Sequence, residues 1–163
     1  MTIRVATRSD AAQVAAIYNE GIEDRSATFE TELRSPGEVM NWLVDGFPVL
    51  VAERDGAVAG FARLSEYSDR CVYQGIGEHG VYVDPRARGA GVGRRLLEEL
   101  ALAAETAGYH KLTSRVFTTN AASLALHRSA GFTEVGIQRR HGRLDGEWKD
   151  TMLVERLLGE AAR

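Results

Sequence analysis

The sequence predicts an α/β fold of three layers, in which about four helices cover a mixed and mostly antiparallel central sheet. Three observations support this prediction. Strand and helix patterns alternate along the chain, an Asp-Gly turn joins two apolar runs, and a glycine-rich loop leads from a strand straight into a long amphipathic helix. The chain has 163 residues, of which 44% are hydrophobic, so one domain over residues 1–163 can bury a sizeable core.

The chain begins with the pattern of a strand followed by a helix. Residues 3–6 alternate in polarity, which is typical of a strand with one buried face. Ser9 and Asp10 are favoured N-cap residues, and the helix that they start is expected to end near Gly21.

The next elements are a short helix and an antiparallel hairpin. The helix is predicted to begin at Ser35-Pro36, because proline is favoured in a first helical turn. Residues 48–52 and 57–62 are apolar runs, and the Asp55-Gly56 step between them is a strong signal for a two-residue hairpin turn. The first half of the sheet is therefore expected to be antiparallel, which disfavours a doubly wound parallel sheet.

The second half contains the most informative stretch of the chain. Residues 80–83 form a predicted strand that ends at Asp84-Pro85, and the glycine-rich loop 86–93 leads into a helix that stops before Gly108. Caps and periodicity predict the remaining elements, which are a strand at 111–117, a helix from Asn120 to Ala130 and a terminal hairpin.

Composition excludes several classes of function. A net charge of −3 and a pI near 5.8 disfavour nucleic acid as the main partner, because binding to phosphate backbones needs a strongly basic surface. No apolar run approaches the roughly 18 residues of a membrane-spanning helix. The one cysteine, Cys71, cannot form an internal disulfide and fits a reducing compartment, so we expect a cytoplasmic protein.

No metal site is expected from the histidines. His79, His110 and His141 fall on different predicted elements, without the spacing or the acidic neighbours of a ligand set. Cys71 is disfavoured as an acyl-carrying nucleophile, because lone cysteines are more often small buried hydrophobes.

The glycine-rich loop predicts an anion site. Gly89, Gly91 and Gly93 let the backbone approach a ligand closely, and the N–H groups of a helix N-terminus then face an anion such as a pyrophosphate. Arg88 and Arg94 would add positive charge. A flexible turn without a ligand is the alternative reading of the same pattern.

Residues 81–93 resemble the coenzyme A motif of the GNAT superfamily of N-acetyltransferases, whose pattern Arg/Gln-x-x-Gly-x-Gly/Ala matches Arg88 to Gly93. Residues 120–132 resemble the helix that follows in that family. The resemblance implies a GNAT fold and acetyl-CoA as co-substrate. It assigns the following residues to acetyl-CoA: Val81, Tyr82, Val83, Arg88, Gly89, Ala90, Gly91, Val92, Gly93, Arg94, Asn120 and Ser123.

Four separate segments, at 27–32, 78–83, 124–127 and 146–150, resemble the phosphinothricin and methionine sulfoximine branch of that superfamily. This branch implies N-acetylation of a small amino-acid-like amine by a homodimer. Its base falls on Glu78, and a carboxylate can take the proton that an attacking amine must lose. His127 stands where many relatives carry a tyrosine that protonates the departing thiolate, so the resemblance implies a catalytic role for His127, either as this acid or as an assisting base. The substrate-binding residues of the branch fall on Phe29, Arg70, Tyr73 and Glu78.

Other readings of these residues stay open. Glu78 could be a partly exposed strand glutamate that pairs with an arginine, and His127 could have a packing role. Arg70 could be a surface arginine and Tyr73 a core tyrosine. Relatives carry serine or threonine where this chain has Gly80, so the substrate is less certain than the reaction.

Two alternatives concern the function of the whole chain. The acceptor could be another amine, namely a protein N-terminus, an aminoglycoside or a polyamine. The chain could also be a coenzyme A-binding sensor without turnover, although such a sensor is expected to lack the base that Glu78 supplies.

Overall fold

The computed structural model describes residues 1–163 and contains one seven-stranded sheet in the order β1-β2-β3-β4-β5-β7-β6. Only β4 and β5 pair in parallel, and four α-helices flank the sheet, which confirms the predicted fold class. The strands are β1 Thr2–Val5, β2 Val49–Arg54, β3 Ala57–Glu66, β4 Ile76–Val83, β5 Lys111–Phe117, β6 Thr133–Leu144 and β7 Glu147–Leu157. The helices are α1 Ala11–Glu23, α2 Pro36–Val44, α3 Val92–Thr106 and α4 Ala121–Ser129.

Each face of the sheet has its own hydrophobic core. On one face α1 and α2 pack around Val39, Val51 and Phe61, all fully buried. On the other face α3 and α4 cover a larger core that includes Leu96 and Leu100. The sheet is therefore the middle of three layers, as the alternation of apolar positions predicts.

Short-range signals located most elements correctly. Asp55 and Gly56 of the β2–β3 turn have φ of 53° and 77°, and Asp145 and Gly146 of the β6–β7 turn have φ of 51° and 81°. Positive φ at both central positions is the geometry of a type I′ hairpin turn. Asn120 caps α4 as predicted, since its side chain accepts a hydrogen bond from the Ser123 N–H.

Two element boundaries differ from the sequence-based prediction, by two residues at the end of α1 and by four at the start of β4. Helix α1 continues past Gly21 to Glu23, and Gly21 within it allows a close approach to Tyr82, whose ring lies 3.0 Å from the position of a Cβ. Strand β4 begins at Ile76 rather than at Gly80. Its glycines do not disturb the pairing with β3, which runs without a shift from Gly77 to Val83.

The only parallel pair of the sheet is short. Strands β4 and β5 pair from Ile76 to Glu78 against Lys111 to Thr113, and beyond these residues no pairing connects them. The two strands therefore separate toward their carboxyl ends and leave backbone groups without strand partners, which favours the insertion of an extended ligand. No helix is long and apolar enough to cross a membrane.

Candidate active site

A cavity of about 820 Å³ occupies the gap between β4 and β5. Its walls are these two strands, the glycine-rich loop, the first turn of α3, one side of α4 and the loop that follows α1. Of the residues assigned to acetyl-CoA, all line this cavity except Ala90. The structure thus brings together segments that are far apart in the sequence.

The glycine-rich loop presents free backbone N–H groups to the cavity. Gly89 and Gly91 have φ of 79° and 80°, in the left-handed region where glycine is favoured. Gly91 is the N-cap of α3, and no side chain caps the helix there. The first amides of α3 therefore remain available for an anion, and the helix dipole favours negative charge at this end.

Three further predicted residues of this region, Gly93, Arg88 and Arg94, have different surroundings. Gly93 serves packing, because a Cβ there would lie 2.8 Å from the side chain of Leu126. Arg88 and Arg94 are exposed, and each has an acidic neighbour, at 3.5 Å for the pair with Asp24 and 2.9 Å for the pair with Glu98. Their charge is thus near the loop but partly balanced.

Strand β4 divides its side chains between the two cores. Tyr82 packs in the α1–α2 core, where its ring stacks on Phe61 at 5.3 Å, whereas Val81 and Val83 pack against the α3–α4 core. Glu78 lies on the same face as Tyr82, as strand alternation predicts. The side chains of Val81 to Val83 are therefore engaged in packing, and their contribution to the cavity wall is largely backbone.

Glu78 lines the cavity and pairs with an arginine that the sequence analysis missed. Its Oε1 lies 3.4 Å from Nη1 of Arg115 on β5, and the Nε–H of Arg115 donates to Oε1 of Gln138 at 3.2 Å. The two charged side chains are 37% and 38% exposed. The pairing matches the open reading of a partly exposed glutamate beside an arginine, but it lies within the candidate site.

A pair of buried histidines closes another part of the cavity wall. His79 on β4 and His127 on α4 are 4% and 3% exposed, and their Nε2 atoms lie 3.0 Å apart. Burial lowers the pKa of His79 to about 3, with a further decrease from the neighbouring His127, and burial also lowers the pKa of His127. Both imidazoles are therefore neutral at pH 7.

The hydrogen bonds of the pair fix the tautomer of each ring. Nδ1 of His127 lies 2.7 Å from the carbonyl oxygen of Ser123, which can only accept, so this nitrogen carries the proton. Nε2 of His127 then accepts from the Nε2–H of His79. Neither nitrogen of His127 is free to donate a proton to a leaving group, which supports its open reading as a packing residue.

Asn120 and Ser123 line the cavity but make hydrogen bonds within the protein. The side-chain Oδ1 of Asn120 accepts from the Ser123 N–H at 3.1 Å, and the side-chain Nδ2 of Asn120 donates to the backbone carbonyl oxygen of Ser26 at 3.0 Å. Asn120 thereby connects α4 to the loop after α1. Its first role in the structure is to hold two walls of the cavity together.

The predicted acceptor residues are only partly brought together. Phe29 lines the cavity and packs edge-on against Phe117 of β5, with ring centroids 4.8 Å apart. Arg70 and Tyr73 do not line it. They are exposed at the 3₁₀ turn that precedes β4, where the Arg70 guanidinium carbon lies 5.7 Å from the centre of the Tyr73 ring.

Comparisons with known proteins agree with the fold. A model of the acetyltransferase (GNAT) family matches residues 14–132. An L-methionine sulfoximine/L-methionine sulfone acetyltransferase of Salmonella typhimurium is 33% identical over 99% of this chain and 97% of its own length. These findings confirm the resemblance to the superfamily and to its phosphinothricin and methionine sulfoximine branch.

Solved structures are similar over the same extent. A ribosomal-protein-alanine N-acetyltransferase of Brucella melitensis is 39% identical, with a TM-score of 0.92 over 97% of this chain and 100% of that chain. A phosphinothricin acetyltransferase of Sinorhizobium meliloti, solved in complex with acetyl-CoA, is 33% identical, with a TM-score of 0.90 over 98% and 89% of the two chains. The protein therefore belongs to the acetyltransferase (GNAT) family and is an acetyl-CoA-dependent N-acetyltransferase.

Proposed function

We propose that this enzyme acetylates the amine of a small amino-acid-like substrate of the phosphinothricin or methionine sulfoximine/sulfone type, with Glu78 as base and without an acyl-enzyme intermediate. The observation that carries the proposal is the location of the Glu78 carboxylate, which lines the same cavity as the glycine-rich loop and the separated strands. Relatives of nearly the same length, named for these substrates, support the choice of acceptor.

The reaction needs one proton acceptor near the amine. Acetyl-CoA supplies the acetyl group as a thioester, so the amine nitrogen bonds to the acetyl carbon while the carbon–sulfur bond breaks. Glu78 takes the amine proton directly or through water, and the departing thiolate takes a proton from solvent. The free amides at the start of α3 bind the pyrophosphate, and the groove between β4 and β5 orients the rest of the co-substrate.

The principal alternative is an acceptor on a protein. The similar structure from Brucella melitensis is a ribosomal-protein-alanine N-acetyltransferase, so a protein N-terminal amine is a second candidate. A polyamine or aminoglycoside has less support, since the cavity has only two acidic side chains, Asp24 and Glu78, and each lies beside an arginine. A sensor without turnover is disfavoured by the presence of Glu78.

A thiol-release assay with acetyl-CoA tests the proposal. The acceptors are phosphinothricin, methionine sulfoximine, methionine sulfone, an alanine-initiated peptide, spermidine and kanamycin. We expect turnover of the amino acid analogues, and we expect Glu78→Gln to lower kcat/KM roughly 10²–10⁴-fold, the usual contribution of a general base. Glu99→Gln, on the exposed side of α3, is the matched control and should retain wild-type activity.

Each outcome of the assay is informative. If only the alanine-initiated peptide were acetylated, the acceptor would be a protein N-terminus and not an amino acid. Full activity of the Glu78→Gln variant would show that Glu78 is not the base. Coenzyme A binding without turnover of any acceptor would favour the sensor.

The resemblance to the branch also supports a homodimer in the cytoplasm. Exposed apolar side chains on the β6–β7 hairpin, including Val135, Ile137 and Trp148, favour such an association. Light scattering during size-exclusion chromatography should give twice the mass of the 17.8 kDa chain. A monomer at micromolar concentration would contradict the proposed assembly.

A further inference from the structure

We propose that Arg115 is a specificity-determining residue that binds the α-carboxylate of the acceptor. The Glu78–Arg115 pair would then recognise the adjacent ammonium and carboxylate groups of an α-amino acid. This inference rests on the proposed function, since it concerns the acceptor of the same reaction. Arg115 belongs to no motif in the sequence.

Arg115 retains the capacity to bind an anion. A guanidinium has five N–H groups, and two of those of Arg115 point at protein acceptors, one at Glu78 and one at Gln138. The contact with Glu78 is long, at 3.4 Å, and the side chain is 38% exposed in the cavity. The guanidinium is therefore held in place but is neither buried nor saturated with hydrogen bonds.

No other arginine occupies a comparable position. The charged side chains that line the cavity, apart from histidines, are Asp24, Glu78, Arg88, Arg94 and Arg115. Arg88 and Arg94 flank the glycine-rich loop, where they lie near the site for pyrophosphate. Arg70, predicted to bind an anionic group of the substrate, does not line the cavity. Arg115 is thus the one guanidinium of the cavity beside the proposed base.

The chemistry of an α-amino acid matches this arrangement. Its nitrogen and its carboxylate carbon are bonded to the same carbon, so an amine that reaches Glu78 brings a carboxylate to the neighbouring side chain. Arginine binds carboxylates through two parallel hydrogen bonds, and such charge-assisted bonds are short and directional. The carboxylate would replace Glu78 as the partner of Arg115, and Glu78 would be released toward the amine.

The test compares an acid with its neutral analogue. Methionine sulfone and its α-carboxamide are offered to the wild type and to Arg115→Met, Arg115→Lys and the control Arg139→Met, which changes an exposed arginine of β6. The readout is the ratio of kcat/KM for the acid to kcat/KM for the amide. Because the two amines differ in basicity, the informative quantity is the change in this ratio between proteins.

We expect Arg115→Met to lower the ratio by roughly 10–100-fold through a loss on the acid alone, as expected for a charged hydrogen-bonding group. Arg115→Lys should recover part of the ratio, and Arg139→Met should leave it unchanged. The rate on the amide shows that each variant is folded. Equal losses on acid and amide would overturn the inference and make Arg115 a residue that only positions Glu78. If the wild type turned over neither of these compounds and neither phosphinothricin nor methionine sulfoximine, the proposed function itself would be refuted.

Discussion

At the scale of single residues, His127 is the position where geometry and motif disagree. The motif suggests a proton donor for the departing thiolate, whereas the structure has a neutral imidazole with both nitrogens in hydrogen bonds, to Ser123 and to His79. A general acid must carry a transferable proton that faces the leaving group. The contacts of His127 instead fix its ring as part of the cavity wall.

We therefore expect His127→Asn to lower kcat less than about tenfold, below the 10²–10⁴-fold effect of losing a general acid. The shape of the pH profile of kcat should stay the same. Phe132→Leu is a control for packing, because the Phe132 ring contacts both histidines, with centroids 4.8 and 5.1 Å away. If the profile of His127→Asn, but not that of Phe132→Leu, lost the decrease in kcat at high pH, His127 would be the general acid after all.

Residues within a local motif could be predicted, and residues joined by distant pairing could not. Glu78, the glycines of the loop and Asn120 were found because short sequence patterns contain them. Arg115 was missed, because its contact with Glu78 depends on the register of β4 against β5. His79 was considered only as a metal ligand, since nothing local shows that α4 brings His127 against it.

At the scale of elements, the contact between α3 and α4 fixes one wall of the cavity. Gly93 is the second residue of α3, and a Cβ there would come within 2.8 Å of Leu126 on α4. The side chain of Val83 on β4 lies at 3.4 Å from the same point. Since both neighbours belong to packed elements, the helix cannot move away without cost.

We expect Gly93→Ala to lower the free energy of unfolding by about 1–3 kcal/mol, the usual effect of overpacking. Gly37→Ala is a matched control, because Gly37 is the second residue of α2 and has only Ser35 Oγ near its Cβ position, at 3.7 Å. Chemical denaturation measures both. Combining Gly93→Ala with Leu126→Ala should recover part of the loss, and purely additive effects would contradict the proposed contact.

Asn120 makes two hydrogen bonds, one that caps α4 and one that connects α4 to the loop after α1, and substitutions can remove them separately. We expect Asn120→Ala to lower the free energy of unfolding by about 1–2 kcal/mol, since it removes both the cap of α4 and the hydrogen bond to Ser26. Asn120→Asp keeps the cap but cannot donate to the Ser26 carbonyl. Asn120→Asp should therefore retain most of the stability of α4 and raise KM for acetyl-CoA. If Asn120→Ala and Asn120→Asp were equally stable, the cap of α4 would contribute nothing to stability.

Element boundaries set by local chemistry were predicted well, and those set by packing were not. The Ser35 cap of α2, the Asn120 cap of α4 and the two Asp-Gly turns depend on neighbours in the sequence. The role of Gly21 depends on Tyr82, sixty-one positions later in the chain, whose ring fills the space that a side chain at position 21 would occupy. In the sequence, Gly21 predicts the end of a helix, but in the structure it permits the close approach of α1 to Tyr82.

At the scale of the whole molecule, the buried histidine pair makes stability depend on pH. Burial lowers the pKa of His79 to about 3 and lowers that of His127 below the ordinary value of 6.5. In the unfolded chain both histidines regain the ordinary value. Below pH 6.5 the unfolded state therefore binds more protons than the folded state, and the free energy of unfolding must fall as the pH falls.

The acidic residue Asp10 affects the stability in a different pH range from the histidines. Hydrogen bonds from Arg4 lower the pKa of Asp10 from 3.8 to about 2, so its contribution is present above pH 3.8 and is lost only as the pH falls toward 2. The range from pH 6.5 to 4.5 isolates the histidines from this carboxylate. Within it each buried neutral histidine can contribute a slope of up to about 1.4 kcal/mol per pH unit.

We expect the stability of the wild type, measured by urea denaturation, to decrease steadily between pH 6.5 and 4.5. His79→Phe keeps an aromatic ring in the core but removes one titrating group, so its slope should be smaller than that of the wild type by about 1 kcal/mol per pH unit. Phe132→Leu should lower stability at every pH and leave the slope unchanged. A wild-type curve that is flat in this range would mean that the two histidines have the same pKa in the folded and the unfolded protein, which would contradict the lowered pKa values of the buried pair.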